Sequence, residues 1–340
     1  MPYEILCWGS NQYGQLGLGA GKVDVDELVP VALDLEGVEK VAVGGGHSFA
    51  FCSDGVYAWG NNSHAQLGLD ESAPKLISEP HLADRLKGAS KIAAGFNHTL
   101  ALANGEVIAF GAESHSQVLQ ETVLRSHLPP CKDIAAGVRH SLAVSVNGEV
   151  FAWGDNAFGQ CGANGEISFP LQVPLPCRAI AATAGLRFSA VLDEQGRIWT
   201  FGNNKLGELG RETDSQKFNP PGSVQTHRRI RQISSGWYHL AAVTESSELV
   251  SWGKDANGQL GGGRELTGVD SVCCGSEHTA ALLEGGRSLV FGWNEHGQLG
   301  HHGNRETPEM MHPDTRRTFT TIACGGSHNL GISPIAAVPR

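Results

Sequence analysis

The stretch GGGHSFAFCSDGVYAWGNNSHAQLG, residues Gly44 to Gly68, contains the pattern that decides the fold. It opens with a Gly-x-x-His motif that ends at His47. Two short apolar runs follow, joined at Asp54-Gly55, and Asp-Gly is a strong signal for a tight hairpin between two strands. The second run ends in Trp59-Gly60, and a polar segment then ends in Gln-Leu-Gly. The stretch therefore predicts two antiparallel strands followed by a glycine-punctuated loop.

Variants of these three patterns recur along the whole chain. The aromatic-Gly pair occurs seven times, at Trp8-Gly9, Trp59-Gly60, Phe110-Gly111, Trp153-Gly154, Phe201-Gly202, Trp252-Gly253 and Phe291-Gly292. The Gly-x-x-His motif occurs six times and ends at His47, His98, His140, His239, His278 and His328. In a seventh repeat Gly185-Leu-Arg-Phe188 holds the same place with phenylalanine. Gln-Leu-Gly or a close relative follows six of the aromatic-Gly pairs, whereas the segment Ala112–Gln120 has lost the pattern.

The spacing of the repeats predicts the architecture. Successive aromatic-Gly pairs are 39 to 51 residues apart, and short strands at such spacing are typical of a β-propeller. We predict an all-β chain that forms one seven-bladed β-propeller over residues 1–340. Helical periodicity is nearly absent, and Pro80–Lys87 is the best candidate for a helical turn.

The two ends of the chain predict how the ring closes. The chain begins in an aromatic-Gly strand, Ile5 to Trp8, that has no hairpin partner before it. It ends with a Gly-x-x-His strand, Ile322 to Ile332, that has no aromatic-Gly strand after it. Pairing the two would give a composite closing blade made from both termini and would hide the edges that an open sheet exposes.

Composition narrows the function classes. The 340 residues carry a formal net charge of −10, which does not favour a nucleic-acid partner. Neither a signal peptide nor an apolar run of about 18 residues is present, so we expect no membrane association and a cytoplasmic or nuclear location. The eight cysteines are scattered without a C-x-x-C motif, which indicates small buried side chains in a reducing compartment. We expect a monomer.

The three patterns together resemble the repeat of the regulator of chromosome condensation family over residues 4–332. The strings Ser235-Gly-Trp-Tyr-His239, Cys274-Gly-Ser-Glu-His278 and Phe291-Gly-Trp-Asn-Glu-His-Gly297 are most similar to the secretion-regulating guanine nucleotide exchange factor-like branch. Parts of the last two strings are also similar to a small fungal propeller that partners a zinc-binding cofactor of diphthamide and tRNA modification. The resemblance implies the propeller fold and leaves the task open, because family members include exchange factors for Ran-type GTPases and binding platforms.

Plant ultraviolet-B photoreceptors also use this fold, with repeated Gly-Trp-Arg-His-Thr strings. Only Gly236-Trp-Tyr-His239 comes near such a string in this chain. Five of the other six tryptophans lie in or beside aromatic-Gly strands, and Trp293 follows one. We therefore do not expect a photoreceptor.

The repeated histidines are the first candidates for chemistry. One histidine per blade at a fixed position is spread around a ring by symmetry, whereas metal ligands must converge to about 2 Å from one ion. A buried imidazole that bonds nearby backbone explains the recurrence better. We predict a scaffold role for the histidines, with no metal, no cofactor and no intrinsic catalytic site.

The two residues between glycine and histidine, called the insert below, are the better candidates for a binding site. They vary from repeat to repeat within a repeated frame, which is how a propeller presents side chains to a partner. Aromatic residues and arginine are also the types enriched in interface hot spots. The predicted partner-binding residues are Asn97, Arg139, Arg187, Trp237, Tyr238 and Glu277.

Guanine nucleotide exchange is the main alternative. In the exchange factor of the family, acidic and histidine side chains at the insert positions are tied to exchange, and this chain matches only with Glu277. No long insertion offers a wedge, and the longest variable loop, Leu69–Lys87, is a weak candidate. Our leading hypothesis is therefore a non-enzymatic, protein-binding platform. The alternatives are an exchange factor for a small GTPase of the Ran or Ras type, and a partner of the zinc-binding cofactor named above.

Overall fold

The protein is a seven-bladed β-propeller, as the repeats predict. The computed structural model describes residues 3–19, 24–30, 37–70, 72–213, 215, 219–263, 265–300 and 317–335. Seven antiparallel sheets form the blades, and glycines from all seven line a narrow central channel.

In blades 1 to 6 the strands follow one another in chain order from the channel outward. Strands β1 (Tyr3–Ser10) and β2 (Asp24–Pro30) precede the first complete blade. Blade 1 contains β3 (Lys40–Val43), β4 (His47–Cys52), β5 (Gly55–Asn61) and β6 (Leu76–Leu82). Blade 2 contains β7 (Ala89–Ala94), β8 (His98–Ala103) and β9 (Glu106–Gly111). Blade 3 contains β10 (Cys131–Ala136), β11 (His140–Ser145), β12 (Val150–Gly154) and β13 (Ile167–Gln172). Blade 4 contains β14 (Ala179–Ala184), β15 (Phe188–Asp193), β16 (Ile198–Gly202) and β17 (Gly222–Ser223). Blade 5 contains β18 (Ile230–Ser235), β19 (His239–Thr244) and β20 (Leu249–Gly253). Blade 6 contains β21 (Val269–Cys274), β22 (His278–Leu283) and β23 (Ser288–Gly292).

Blade 7 is composite, and this prediction is confirmed. Strands β24 (Thr321–Cys324) and β25 (His328–Pro334) come from the C-terminal part of the chain and pair with β1 and β2 in the order β24-β25-β1-β2. The antiparallel register between β1 and β25 runs without a break from Tyr3 opposite Pro334 to Gly9 opposite His328. The ring is therefore closed by backbone pairing between the two ends of the chain.

The helices differ in part from the sequence prediction. Pro80 and His81 belong to β6, and only Asp84–Leu86 forms a short 3-10 helix. Helix α1 (Glu121–His127) was not predicted, and it anchors itself through the buried Leu124, which packs in a cluster with Val107 of β9. In the described part of the chain, no helix is long and apolar enough to cross a membrane.

The segment Ala112–Gln120 keeps the loop geometry although its sequence has lost the pattern. The amide Oε1 of Gln117 accepts the backbone N–H of His115 at 2.8 Å, just as Gln15 accepts that of Tyr13 at 2.7 Å. Ser116 takes the place of the glycine before glutamine and adopts a φ of 56°. A short polar residue tolerates this left-handed backbone at modest cost, which is why the loop survives without its glycine.

The first glycine of each Gly-x-x-His motif allows neighbouring blades to approach closely. A Cβ on Gly44 would lie 2.6 Å from the carbonyl oxygen of Gly95 in the next blade and 2.4 Å from Cε1 of His47. The same contact recurs around the ring, and a Cβ on Gly325 would lie 2.6 Å from the carbonyl oxygen of Gly44. Any larger residue would push two blades apart.

Candidate functional site

A hydrogen-bonded girdle of histidines surrounds the channel below the inserts. Each imidazole Nε2 meets the side chain that follows the histidine position of the next blade. The pairs are His47–Thr99 at 2.9 Å, His98–Ser141 at 3.1 Å, His140–Ser189 at 2.9 Å, His239–Thr279 at 2.9 Å, His278–Asn329 at 2.8 Å and His328–Ser48 at 2.9 Å. The predicted scaffold role fits this pattern, although the partner of each Nε2 is a side chain of the next blade and not a backbone group.

The partners also fix which ring nitrogen carries the proton. The Ser141 hydroxyl donates to the carbonyl of Gln117 at 3.0 Å, and the Ser189 hydroxyl donates to that of Gln160 at 2.7 Å. A hydroxyl that has given its proton away accepts the second bond, so the histidine Nε2–H donates. Each such histidine therefore links the blade that carries it to the next blade and, through the hydroxyl, to a loop glutamine.

The girdle is interrupted once, and both partners change together. Phe188 replaces the histidine in blade 4, and the next blade offers Leu240 where others offer a hydroxyl or amide. Both side chains are buried in one apolar cluster. Replacing the donor and the acceptor together leaves no unsatisfied polar group, which is the inexpensive way to lose a buried hydrogen bond.

Burial keeps the girdle histidines neutral. Desolvation lowers the pKa of His47, His98, His239 and His328 to about 3. It lowers the pKa of His140 and His278 to about 4. Within the described ranges, no group of three or more His, Cys, Asp or Glu side chains is placed to hold a metal ion. Each of the six imidazoles is thus buried, neutral and hydrogen-bonded to the next blade.

The inserts are held by backbone bonds that repeat in every blade. The carbonyl of each second insert residue accepts the N–H of the residue after an aromatic-Gly pair, at 2.8 to 2.9 Å. The acceptors are Gly46, Asn97, Arg139, Arg187, Tyr238, Glu277 and Ser327. Because these bonds use only main-chain atoms, the insert side chains are free to differ between blades.

The first insert residues line the mouth of the central channel. This channel holds about 80 Å³ and is bordered by Phe96, Val138, Trp237 and Ser276 among the glycines. The rings of Phe96 and Trp237, from blades 2 and 5, meet edge to face with centroids 5.7 Å apart and an interplanar angle of 68°. Phe96 remains 39% exposed. An aromatic pair thus spans the channel and presents apolar surface to solvent.

Two second insert residues, Arg187 and Glu277, pack on the loop of the preceding blade. The guanidinium carbon of Arg187 lies 4.2 Å from the centroid of the Phe158 ring. The carboxylate of Glu277 accepts a bond from Nζ of Lys254 at 2.7 Å and one from Nδ2 of Asn257 at 2.5 Å. Lys254 Nζ also lies 5.5 Å from the ring centroid of Tyr238.

Arg139 and Asn97 complete the predicted set. Arg139 is exposed, and no ion pair or hydrogen bond of its side chain to another described residue is seen. Asn97 is half-buried. The six predicted residues therefore lie on the inserts of five successive blades, 2 to 6, and form an arc around the channel mouth. We call the inserts of these blades the insert face.

The sequence prediction missed three neighbours that shape this face. Phe96 occupies the same insert position as Trp237, so its aromatic character was a readable signal. Phe158 and Lys254 lie in the loops after aromatic-Gly pairs, where nothing in the repeat marks them. Their roles emerge only from the contacts with Arg187 and Glu277.

The proposed wedge segment Leu69–Lys87 is not a free loop. It contains β6, the outer strand of blade 1, and the 3-10 helix. Ile77, Ala83 and Leu86 are buried in the blade 1 core. This weak candidate for an exchange wedge was therefore wrong, because apolar side chains fold the segment onto its own blade.

Fold and site together define a closed seven-bladed propeller with a structural histidine girdle and a variable insert face. A sequence model of the RCC1-like domain matches residues 4–331, and the chain therefore belongs to the RCC1-like domain family. The predicted family is confirmed.

Several curated proteins resemble the chain. Secretion-regulating guanine nucleotide exchange factor of Mus musculus is 28% identical over 98% of this chain and 84% of its own length. Ultraviolet-B receptor UVR8 of Arabidopsis thaliana is 30% identical over 78% of this chain and 52% of its own length. Probable E3 ubiquitin-protein ligase HERC4 of Homo sapiens is 33% identical over 97% of this chain, which spans only 29% of that relative. The predicted similarity to the secretion-regulating branch is confirmed.

Solved structures share the fold. Human WBSCR16 superposes with a TM-score of 0.85 at 22% identity, covering 99% of this chain and all of that one. Prp20p of Saccharomyces cerevisiae superposes with a TM-score of 0.83 at 23% identity, covering 98% of this chain and 92% of that one. At 22 to 23% sequence identity, the structural similarity establishes the propeller fold but not the function.

Proposed function

We propose that this protein is a binding platform whose protein partner docks on the insert face. The observation that carries the proposal is that the backbone of the inserts is held identically in every blade, whereas the insert side chains differ. Main-chain bonds fix all seven inserts in the same way, whereas the side chains that project from them are aromatic, cationic, amidic or absent. A rigid frame with varied projections provides specificity at low entropic cost.

The chemistry of the face suits a protein partner. The Phe96–Trp237 pair offers apolar surface that a partner would bury, and tryptophan is among the commonest hot-spot residues. Arg139 offers an exposed guanidinium that makes no ion pair with another described residue, and its five N–H donors suit carboxylates or carbonyls of the partner. We expect affinity to centre on Trp237 and Tyr238, with arginines at the rim setting the register.

Regulation of a small GTPase is the second candidate function. It is supported by the relative called secretion-regulating guanine nucleotide exchange factor and by the mouse X-linked retinitis pigmentosa GTPase regulator, which is 31% identical over 99% of this chain and 31% of its own length. Direct exchange through Glu277 has less support, because Lys254 and Asn257 already occupy its carboxylate. A GTPase that binds the insert face without losing its nucleotide would agree both with the similarity to GTPase regulators and with the occupied carboxylate of Glu277.

The platform is tested by affinity capture with a matched control. Trp237→Ala/Tyr238→Ala is compared with Phe169→Ala, an aromatic residue that is 50% exposed on the outer strand β13. We expect the double variant to lose the partner captured by the wild type and Phe169→Ala to keep it. If the wild type, the double variant and Phe169→Ala captured the partner equally, the insert face would not be the binding site.

Exchange is tested by release of fluorescent mant-GDP from a panel of small GTPases. A platform leaves the release rate unchanged, whereas acceleration beyond tenfold for any member would make exchange the preferred function. We also propose that the protein is monomeric and cytoplasmic or nuclear. Size-exclusion chromatography and a fluorescent fusion test these two points.

A further inference from the structure

Two thiols from neighbouring blades lie unusually close together. Cys273 of β21 and Cys324 of β24 belong to the innermost strands of blades 6 and 7, and their Sγ atoms are 2.6 Å apart. A covalent S–S bond measures about 2.0 Å, and non-bonded carbon atoms keep about 3.5 to 4.0 Å. Both side chains are half-buried rather than sealed in the core.

The proximity follows from the repeat geometry of the propeller. Cys273 lies two residues before the motif glycine of its blade, and Cys324 lies one residue before that of the next blade. The same two positions meet between blades 4 and 5, where Thr183 Oγ1 lies 2.6 Å from Ser235 Oγ. They meet again between blades 5 and 6, where Ser234 Oγ accepts the N–H of Cys274 at 3.0 Å. Side-chain contact at these positions is thus a property of the blade interface.

We propose that Cys273 and Cys324 form an oxidation site at which hydrogen peroxide cross-links blade 6 to the composite blade 7. Peroxide transfers one oxygen to the first thiol, giving a sulfenic acid and one water. The second thiol then attacks the sulfenic sulfur, the S–S bond forms and a second water leaves. The two cysteines lose two electrons, and peroxide is reduced to water.

The central channel provides access for this oxidant. Cys324 lines the channel, as Cys274 does, and the volume of about 80 Å³ accommodates only a few molecules of the size of water. Hydrogen peroxide meets that limit, whereas a tripeptide disulfide does not. The site should therefore respond to peroxide far faster than to glutathione disulfide.

The cross-link would tie the C-terminal half of blade 7, which contains β24 and β25, to blade 6. The pairing of β1 with β25 stays non-covalent, so the gain comes from the blade 6–blade 7 interface. A bond between residues 51 positions apart restricts the unfolded chain. For a chain of this length, we expect the melting midpoint to rise by about 5 °C on oxidation and to return on reduction.

The chain offers its own control at the adjacent position. The thiol of Cys274 faces away from Cys324, with Sγ 3.4 Å from the carbonyl oxygen of Ser234 and 3.8 Å from Oγ1 of Thr279. Burial raises the pKa of both the Cys274 thiol and the Cys324 thiol, so position and not acidity distinguishes these two cysteines. Cys274→Ser should therefore leave the cross-link intact, whereas Cys273→Ser and Cys324→Ser should each abolish it.

The experiment uses the reduced full-length protein with hydrogen peroxide as the probe. After treatment, the unfolded protein is alkylated without reductant, and its tryptic peptides are identified by mass spectrometry. We expect six alkylated thiols instead of eight, and a disulfide between the peptides that carry Cys273 and Cys324. The cross-link should form in Cys274→Ser, and neither Cys273→Ser nor Cys324→Ser should show the rise in melting midpoint.

Three outcomes would overturn the proposal. One is eight free thiols after peroxide treatment of the wild type. Another is a cross-link that persists in Cys273→Ser and disappears in Cys274→Ser. The third is a disulfide between two molecules, seen as a dimer on a non-reducing gel. None of these results bears on partner binding at the insert face.

Discussion

The histidine girdle predicts a steep loss of stability in mild acid. The six buried histidines have folded-state pKa values of about 3 to 4, against about 6.5 in an unfolded chain. Because the folded values are the lower ones, the unfolded state binds more protons between pH 6.5 and pH 4. The stabilisation is therefore complete above pH 6.5 and is lost as the pH falls towards the folded values.

The magnitude follows from the size of the pKa shifts. Lowering the pH from 7 to 5 costs about 2 kcal/mol for each histidine, and on the order of 10 kcal/mol for all six. A typical domain has about 5 to 15 kcal/mol of total stability, so the propeller should approach its unfolding transition near pH 5.

The assay is urea unfolding followed by tryptophan fluorescence at several pH values between 7 and 5. The matched variant is His98→Phe/Ser141→Leu, which copies the natural Phe188 and Leu240 pair at another blade interface. The carbonyl of Gln117 keeps its second donor in this variant, because Trp153 Nε1 donates to it at 3.1 Å. With one histidine fewer, the loss between pH 7 and pH 5 should shrink by about 2 kcal/mol.

Two results would refute the reasoning. The first is a wild-type stability that changes by less than about 2 kcal/mol between pH 7 and pH 5. The second is an identical pH slope in the wild type and the double variant. Either would mean that protons reach the girdle without unfolding the ring.

Three further predictions concern the ring itself. Deleting residues 1–9 removes all but the last residue of β1, one of the two inner strands of blade 7, so the protein should unfold or associate. An unchanged melting midpoint with monomeric elution would contradict this. Gly275→Ala places a Cβ 2.0 Å from Cε1 of His278 and should cost about 3 kcal/mol in urea unfolding. Gly285→Ala meets no atom within 4 Å, and its cost comes only from the φ of 84°; a cost of Gly275→Ala below that of Gly285→Ala would argue against close blade contact. Ser116→Gly and Ala65→Gly each remove the strain of a left-handed backbone at φ values of 56° and 59°. Each variant should stabilise the protein by about 0.5 to 1 kcal/mol. Destabilisation by both would show that the backbone is not strained at these two positions.

The fold was predictable because its information is local and repeated. Asp-Gly and Asn-Gly turns mark the hairpins, aromatic-Gly pairs mark the third strands, and the unmatched strands at the two ends predicted the composite blade. Helix α1 escaped prediction because it is only seven residues long and owes its place to Leu124 packing against blade 2. Such a short helix is fixed by tertiary contact and not by its own periodicity.

The site was predictable in position more than in detail. The repeats located the inserts, since a variable pair within a repeated frame is visible in the sequence. The contacts that shape the face connect residues far apart along the chain, such as Phe96 with Trp237. The girdle partners are equally hidden, because each histidine bonds a hydroxyl or amide 40 to 52 residues onward or, for His328, back at Ser48. No local sequence pattern predicts these long-range pairs.

The central claim is that histidines hold the ring while inserts bind the partner, and adjacent residues of blade 5 test it directly. We would measure partner affinity and melting midpoint for Trp237→Ala/Tyr238→Ala and for His239→Ala. Loss of two hot-spot side chains should weaken binding at least 30-fold with little change in midpoint. His239→Ala should lower the midpoint by several degrees and bind normally where it is folded. The reverse pattern, with binding lost in folded His239→Ala and stability lost in the insert variant, would contradict the account.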